Sequence, residues 1–199
     1  MSDPQKYEYD VFISYRRVDR VKTWMRDYFV KKLTEALELE LDDPPKIFWD
    51  EPGVEEGNRF TPIILKALKT SKCLVTIWVK PYFQSPWCVA EWRTFVERAK
   101  NENRDADGLT IPVRLHDSEK FAMEFKAFDF REFNHTAPYW VQTDKFLNFE
   151  KQVDNLAKRI SDLVKSVPDF NINWEVVEPE AIQLDDEAFE GWAFHLKEQ

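Results

Sequence analysis

The chain has 199 residues and a net charge of −9; with 43% of its residues hydrophobic and 15% aromatic, it has enough for one full core and at most an appendage rather than several domains. No apolar run reaches the roughly 18 residues of a membrane span, and the polar start Met1 to Lys6 does not read as a secretory signal, so a soluble, cytoplasmic protein with no membrane partner is expected. Nine acidic residues and one lysine lie between Pro168 and Gln199; the acidity belongs to that stretch, and neither part is basic enough to make nucleic acid a direct partner.

In chain order, Tyr9 to Tyr15 is a short run of strand formers that ends on polar Arg16 and Arg17, as a first buried strand would. Val21, Trp24, Met25, Tyr28, Phe29, Leu33, Ala36 and Leu37 recur three and four apart and predict a helix with one broad apolar face. Asp42-Asp43-Pro44-Pro45 stops it, and Lys46 to Asp50 reads as a brief second strand. A loop from Asp50 to Phe60 holds two of the four glycines, Gly53 and Gly57. Thr61-Pro62 then starts a helix by the rule that a capping hydroxyl precedes a proline, and it runs to about Thr70.

Lys72 to Val79 is the most continuous apolar run, as expected of a central parallel strand covered on both faces. Ser85-Pro86 repeats the cap-then-proline signal, so a helix begins there and continues through Trp92, Phe95, Val96 and Ala99. Asn101 to Gly108 is turn-forming, Leu109 to Leu115 reads as a fourth strand, and Phe125, Phe128, Phe130 and Phe133 point to a fifth around residues 125–133. Phe146, Phe149, Val153, Leu156, Ile160 and Leu163 make an amphipathic closing helix. Residues 1–167 are therefore assigned to one domain and 168–199 to an acidic, aromatic-containing C-terminal extension. Its aromatics leave three roles open: packing back on the domain, binding a basic partner, or leading into a further domain.

Five strands alternating with helices argue a flavodoxin-like α/β three-layer sandwich. The usual order of such a parallel sheet is 2-1-3-4-5, with the ligand crevice at the carboxyl ends of strands 1 and 3. That topology brings Tyr15, Arg16 and Arg17 to the same cleft as the helix that opens with Trp87 and Glu91. Glu91 stands out on local grounds as well. It lies too far from Ser85 to close a capping box, and the residues three and four away, Cys88, Trp87, Thr94 and Phe95, include no base. Trp87, one turn earlier, is expected to project with it.

Other chemistries find little support. Four glycines allow neither G-x-G-x-x-G nor a P-loop. His116, His135 and His195 stand apart, with no metal-ligand spacing, so no metal and no bound cofactor are expected. Cys73 and Cys88 read as reduced, buried thiols, and Cys88 has no histidine near it in sequence to activate it.

Three segments together resemble the Toll/interleukin receptor (TIR) domain family. Asp10-Val-Phe-Ile-Ser-Tyr-Arg-Arg17 is similar to its opening box. Phe48-Trp-Asp-Glu-Pro-Gly-Val-Glu-Glu-Gly-Asn-Arg-Phe60 is similar to its second strand and BB loop, and Ser85-Pro-Trp-Cys-Val-Ala-Glu91 to the entry of its third helix. The order and spacing match over roughly residues 7–165. The resemblance is to the bacterial-type, catalytic members, which hydrolyse or cyclise NAD. It implies that Glu91 is the catalytic residue, that NAD is the substrate, and that Tyr15, Arg16, Asp50, Gly57 and Phe60 line the nucleotide pocket. Trp87 would wall the site, and Arg16 or Arg17 would face the pyrophosphate. It also implies a homo-oligomer built through TIR–TIR contacts and the BB loop, a role in immune defence or cell death, and an upstream activator or regulatory protein. The alternatives are a non-catalytic TIR adaptor, in which Glu91 is a surface group, and a nucleotide sensor that binds without cleaving.

Overall fold

The computed structural model describes residues 6–50, 60–105, 108–117 and 126–179. Five parallel strands, β1 (Tyr9–Tyr15), β2 (Ile47–Trp49), β3 (Ser71–Trp78), β4 (Thr110–Arg114) and β5 (Phe128–Asp129), form one sheet in the order β2-β1-β3-β4-β5. The expected flavodoxin-like order is thus the observed one. β1 and β3 are central and almost wholly buried, which is why both read as unbroken apolar runs. Tyr15 pairs with Ile77 and Ser14 with Thr76, so the carboxyl ends of the two strands finish side by side.

Strand β5 is shorter than the aromatic run predicts. After Asp129 the chain leaves the sheet into a 3-10 turn, Arg131–Phe133. Phe130 and Phe133 go instead to an aromatic cluster with Trp24, Phe29 and Phe149, with ring centroids 5.8 to 6.2 Å apart along most contacts. The same side chains that suggested a strand are used to pack against helices, where burying a ring contributes more than extending an edge strand by a few residues.

The predicted first long helix is present in three consecutive stretches: α1 (Asp19–Trp24), a π-helical turn (Met25–Phe29) and α2 (Val30–Glu38). In a regular α-helix, residues five apart point about 140° away from each other. The π turn closes i to i+5 and brings Trp24 and Phe29 face to face, 4.7 Å apart and 21° from parallel. Trp24 also donates through Nε1 to the Phe133 carbonyl, 2.9 Å away.

Helix α3 (Phe60–Thr70) begins one residue before the expected cap, which leaves Pro62 inside the first turn, where its missing N–H has no intrahelical partner in any case. Helix α4 (Pro86–Asn101) starts as predicted: the Ser85 hydroxyl accepts from the Cys88 N–H at 3.4 Å, and Pro86 takes the first position. Asn103, in the left-handed region at φ 53°, follows its end. Helix α5 (Asp144–Ser166) closes the fold against α2 and β3. Cys73 and Cys88 are both free and buried, matching the expectation of reduced thiols.

The first part of the C-terminal stretch lies across α4. Tyr7, Phe170 and Trp174 form an aromatic triad with centroids 5.4 to 5.9 Å apart. Trp174 is 5% exposed and covers the guanidinium of Arg98 at 4.5 Å, with Phe95 on the other side at 4.4 Å. Val177 N–H donates to Thr94 Oγ1 at 3.0 Å. Of the three roles left open by the sequence, packing back on the domain is the one these residues 168–177 display.

Candidate functional site

The site is assembled where β1 and β3 end. Ser14 alternates with Ile13 and Tyr15 along β1, and its contact with Glu91 puts it on the face toward α4; it is 1% exposed. Its hydroxyl donates to Glu91 Oε2 at 2.5 Å. Tyr82, in the 3-10 turn Lys80–Tyr82 that links β3 to α4, sits behind it. The Tyr82 and Ser14 hydroxyl oxygens are 2.8 Å apart, and Tyr82 also donates to the Cys88 carbonyl at 3.0 Å. A strand, a connecting turn and a helix thus meet around one carboxyl.

Glu91 is 9% exposed. Burial raises its pKa to about 7, while the hydrogen bond from Ser14 and the charge of Arg17 pull the other way and do not offset it. It is therefore not a solvated helix-face carboxylate. Trp87, by contrast, is 38% exposed, so the two side chains do not share one environment as the spacing suggested. Four residues along a helix amount to about 40° beyond a full turn and about 6 Å of rise. That is enough to leave Trp87 in the exposed first turn while Glu91 lies over β1.

The remaining predicted residues fall in the same region. Tyr15 is buried, and its hydroxyl donates to the Asp50 carbonyl at 2.6 Å; burial pushes its phenol up to about 12. Arg17 forms an ion pair with the Asp50 carboxylate. These two contacts tie the end of β1 to the end of β2, where the loop that resembles a BB loop departs. Arg16 is exposed and reaches back to Ser85 Oγ at 3.4 Å. Phe60 opens α3, and its side chain lies outside the described residues, as does Gly57 altogether. Tyr15, Arg16, Arg17, Asp50, Trp87 and Glu91 thus gather at one end of the sheet.

Sequence reasoning missed Ser14 and Tyr82. The available signal for Ser14 was a hydroxyl in an otherwise apolar strand, one residue before its end. Cys88 has no activated character: burial pushes its thiol up to about 12, with the Glu91 charge adding to the shift. Among the described residues no group of three or more His, Cys, Asp or Glu side chains could hold a metal ion, and no helix is long and apolar enough to cross a membrane.

Comparison with known proteins gives a consistent set of matches. A family model described as TIR domain matches residues 11–141. The TMV resistance protein N of Nicotiana glutinosa is 23% identical over 175 residues, covering 84% of this chain and 15% of that protein's length. Among solved structures, the TIR domain of the Toll-related receptor TRR-2 from Hydra magnipapillata is 20% identical, with 73% of this chain and 98% of that one covered at a TM-score of 0.44. The TIR domains of the activated Roq1 resistosome, which directly recognises the pathogen effector XopQ, are 23% identical, with 75% and 84% covered at a TM-score of 0.38.

Proposed function

Because this chain belongs to the TIR domain family, we propose that it is an NAD glycohydrolase or cyclase that breaks the nicotinamide–ribose bond with Glu91 as its catalytic residue. The observation that carries the reading is a buried carboxyl at the switch point of the sheet, raised to about 7 and held by a single serine hydroxyl. A carboxyl in that position costs stability whenever it is ionised, and such groups concentrate where chemistry is done.

The chemistry suits a lone carboxylate. Nicotinamide in NAD is already a cationic leaving group, so departure needs no general acid, unlike ordinary glycoside hydrolysis with its two carboxyl groups. Ionised Glu91 accepts hydrogen bonds from the ribose hydroxyls and sets negative charge beside the oxocarbenium-like transition state. Arg16, exposed at the end of β1, contacts the pyrophosphate, while Arg17 and Tyr15 anchor Asp50 and with it the start of the loop. Trp87 covers the mouth of the site.

Cytoplasmic action in immune defence or cell death is part of the same reading, supported by the likeness to a protein named for virus resistance. So is self-assembly, with the loop after Asp50 of one copy completing the site of another. Nicotinamide release per molecule should therefore rise about tenfold or more between dilute and concentrated protein; a rate per molecule that is flat across dilution rejects the assembly. Trp87→Ala should lower NAD turnover at a stability cost of about 1–2 kcal/mol, less than for a core tryptophan because the side chain is 38% exposed. The deciding experiment is incubation of concentrated protein with NAD, with and without a crowding agent, following nicotinamide and its companion product. Release that disappears in Glu91→Gln supports the enzyme. Release that persists in the variant removes Glu91 from the mechanism, and its absence from fully assembled protein favours the adaptor.

A further inference from the structure

The contacts behind Glu91 form a single line: Glu91 Oε2 to Ser14 Oγ at 2.5 Å, Ser14 Oγ to Tyr82 Oη at 2.8 Å, and Tyr82 Oη to the Cys88 carbonyl at 3.0 Å. Three contacts require three hydrogens. Ser14 and Tyr82 carry one each, and the Cys88 carbonyl carries none. When Glu91 is protonated, its own hydrogen supplies the third: Glu91 donates to Ser14, Ser14 to Tyr82, and Tyr82 to the carbonyl. When Glu91 is ionised, Ser14 must turn its hydrogen toward the carboxylate, and Tyr82 can then serve Ser14 or the carbonyl but not both. One contact is left without a hydrogen, and the line cannot be fully satisfied.

We propose that Ser14 and Tyr82 are positioning residues that set the charge of Glu91: the Ser14 hydroxyl reverses when the carboxyl releases its proton to solvent, and Tyr82 is the acceptor that completes the line only while the proton is present. The inference rests on the reading of Glu91 as catalytic for its consequence, though not for its geometry. Both partners are buried, Ser14 at 1% and Tyr82 at 0% exposure, so water does not substitute freely for either. Burial keeps the Tyr82 phenol well above its ordinary range and the Cys88 thiol up at about 12; near neutrality the group that titrates in this line is Glu91. The charged groups around it are Arg17 at the end of β1, paired with Asp50, and Arg16, which reaches Ser85 beside Cys88. The Arg17 charge favours the ionised carboxyl.

The two partners therefore act in opposite directions. Removing the Ser14 hydroxyl takes two contacts between neutral groups from the protonated form and the one charge-assisted donor from the ionised form; a buried carboxylate left without a donor costs more than the two neutral contacts, so the Glu91 titration midpoint should rise by about one pH unit. Removing the Tyr82 hydroxyl takes away the acceptor that Ser14 uses in the protonated form and should lower it. A residue that merely fills space would move the midpoint in neither sense or in the same sense.

The test is a pH titration of the side-chain carboxyl carbons by NMR in protein labelled at glutamate, with the Glu91 signal identified by its loss in Glu91→Gln. The proteins compared are wild type, Ser14→Ala, Ser14→Thr and Tyr82→Phe. A midpoint that rises in Ser14→Ala, falls in Tyr82→Phe and returns toward wild type in Ser14→Thr supports the proposal. Shifts in one common direction, or none, overturn it. Should Ser14→Ala fail to fold, Tyr82→Phe decides alone, since a raised or unmoved midpoint there is contrary to the hydrogen count. The acid limb of NAD cleavage is then recorded for the same proteins. Opposite NMR shifts with no NAD cleavage by any protein leave this inference standing and remove the enzymatic reading; NAD cleavage that depends on Glu91 with unmoved midpoints does the reverse.

Discussion

Replacing Glu91 with glutamine is expected to reduce nicotinamide release about a thousandfold, to background, and at the same time to make the protein more stable at pH 8. Both effects have one cause. Burial raises the Glu91 pKa to about 7, above the value near 4.3 of a free glutamate. The folded state thus holds its proton more tightly than the unfolded state does. Its contribution to stability is fully present below about pH 4.3 and is lost as the pH rises through about 7. The ionised carboxyl costs on the order of 3 kcal/mol by pH 8. Glutamine, always neutral and nearly isosteric, escapes that cost while keeping the Ser14 contact.

Denaturation midpoints of wild type and Glu91→Gln should therefore converge at pH 4.5 and separate at pH 8, with the variant higher. Over the same interval wild-type NAD turnover should climb with a midpoint near 7, because the ionised form is the working one. A variant that is inactive and also less stable at pH 8 would mean that Glu91 is structural. Loss of activity accompanied by gain of stability is the signature of a group kept for chemistry.

A second large effect is expected far from the cleft. Arg98 is 2% exposed, and its guanidinium donates to the Leu68 and Ser71 carbonyls, each at 2.9 Å. Helix α3 ends at Thr70 and β3 begins at Ser71, so no turn residues are available to satisfy the last carbonyls of the helix. Arg98 does so for Leu68 from another element and holds the first carbonyl of β3 with it, while the Ser71 hydroxyl donates to the Ala67 carbonyl and the Glu8 N–H to that of Thr70. Arg98→Ala strips both carbonyls of this donor and removes the layer between Phe95 and Trp174, which should cost about 3 kcal/mol in urea unfolding. Arg98→Lys should recover less than half, because a single ammonium does not reproduce the planar fork that spans two acceptors. A cost below about 1 kcal/mol for the alanine variant would show that water replaces the arginine.

Legibility from sequence differed by the kind of signal. β1 and β3 were readable because strands covered on both faces lose their polar alternation, and α4 because Ser85-Pro86 carries a capping signal in two adjacent residues. The convergence of Tyr15, Arg16, Arg17 and the α4 entrance followed from strand order alone. What stayed hidden depends on contacts between distant residues. Glu91 could be seen to lack a partner on its own helix, but not to be buried against Ser14, 77 positions away. The Arg17–Asp50 pair and the grip of Arg98 on the Leu68 and Ser71 carbonyls likewise join residues that no local spacing links. The fifth strand was overestimated because phenylalanines serve a sheet and an aromatic cluster equally well.

The π turn at Met25–Phe29 bears on how this chain is matched to its relatives. A turn that closes i to i+5 takes up one more residue than an α turn for a similar advance along the axis. Between Asp19 and Glu38 the chain therefore carries an extra position, and a relative with an uninterrupted helix there should be aligned with a one-residue gap between Trp24 and Val30. Without that gap, Leu33, Ala36 and Leu37, which are all buried here, would be set against residues of the neighbouring helix face, and an apolar match across α2 would be lost to a frame error.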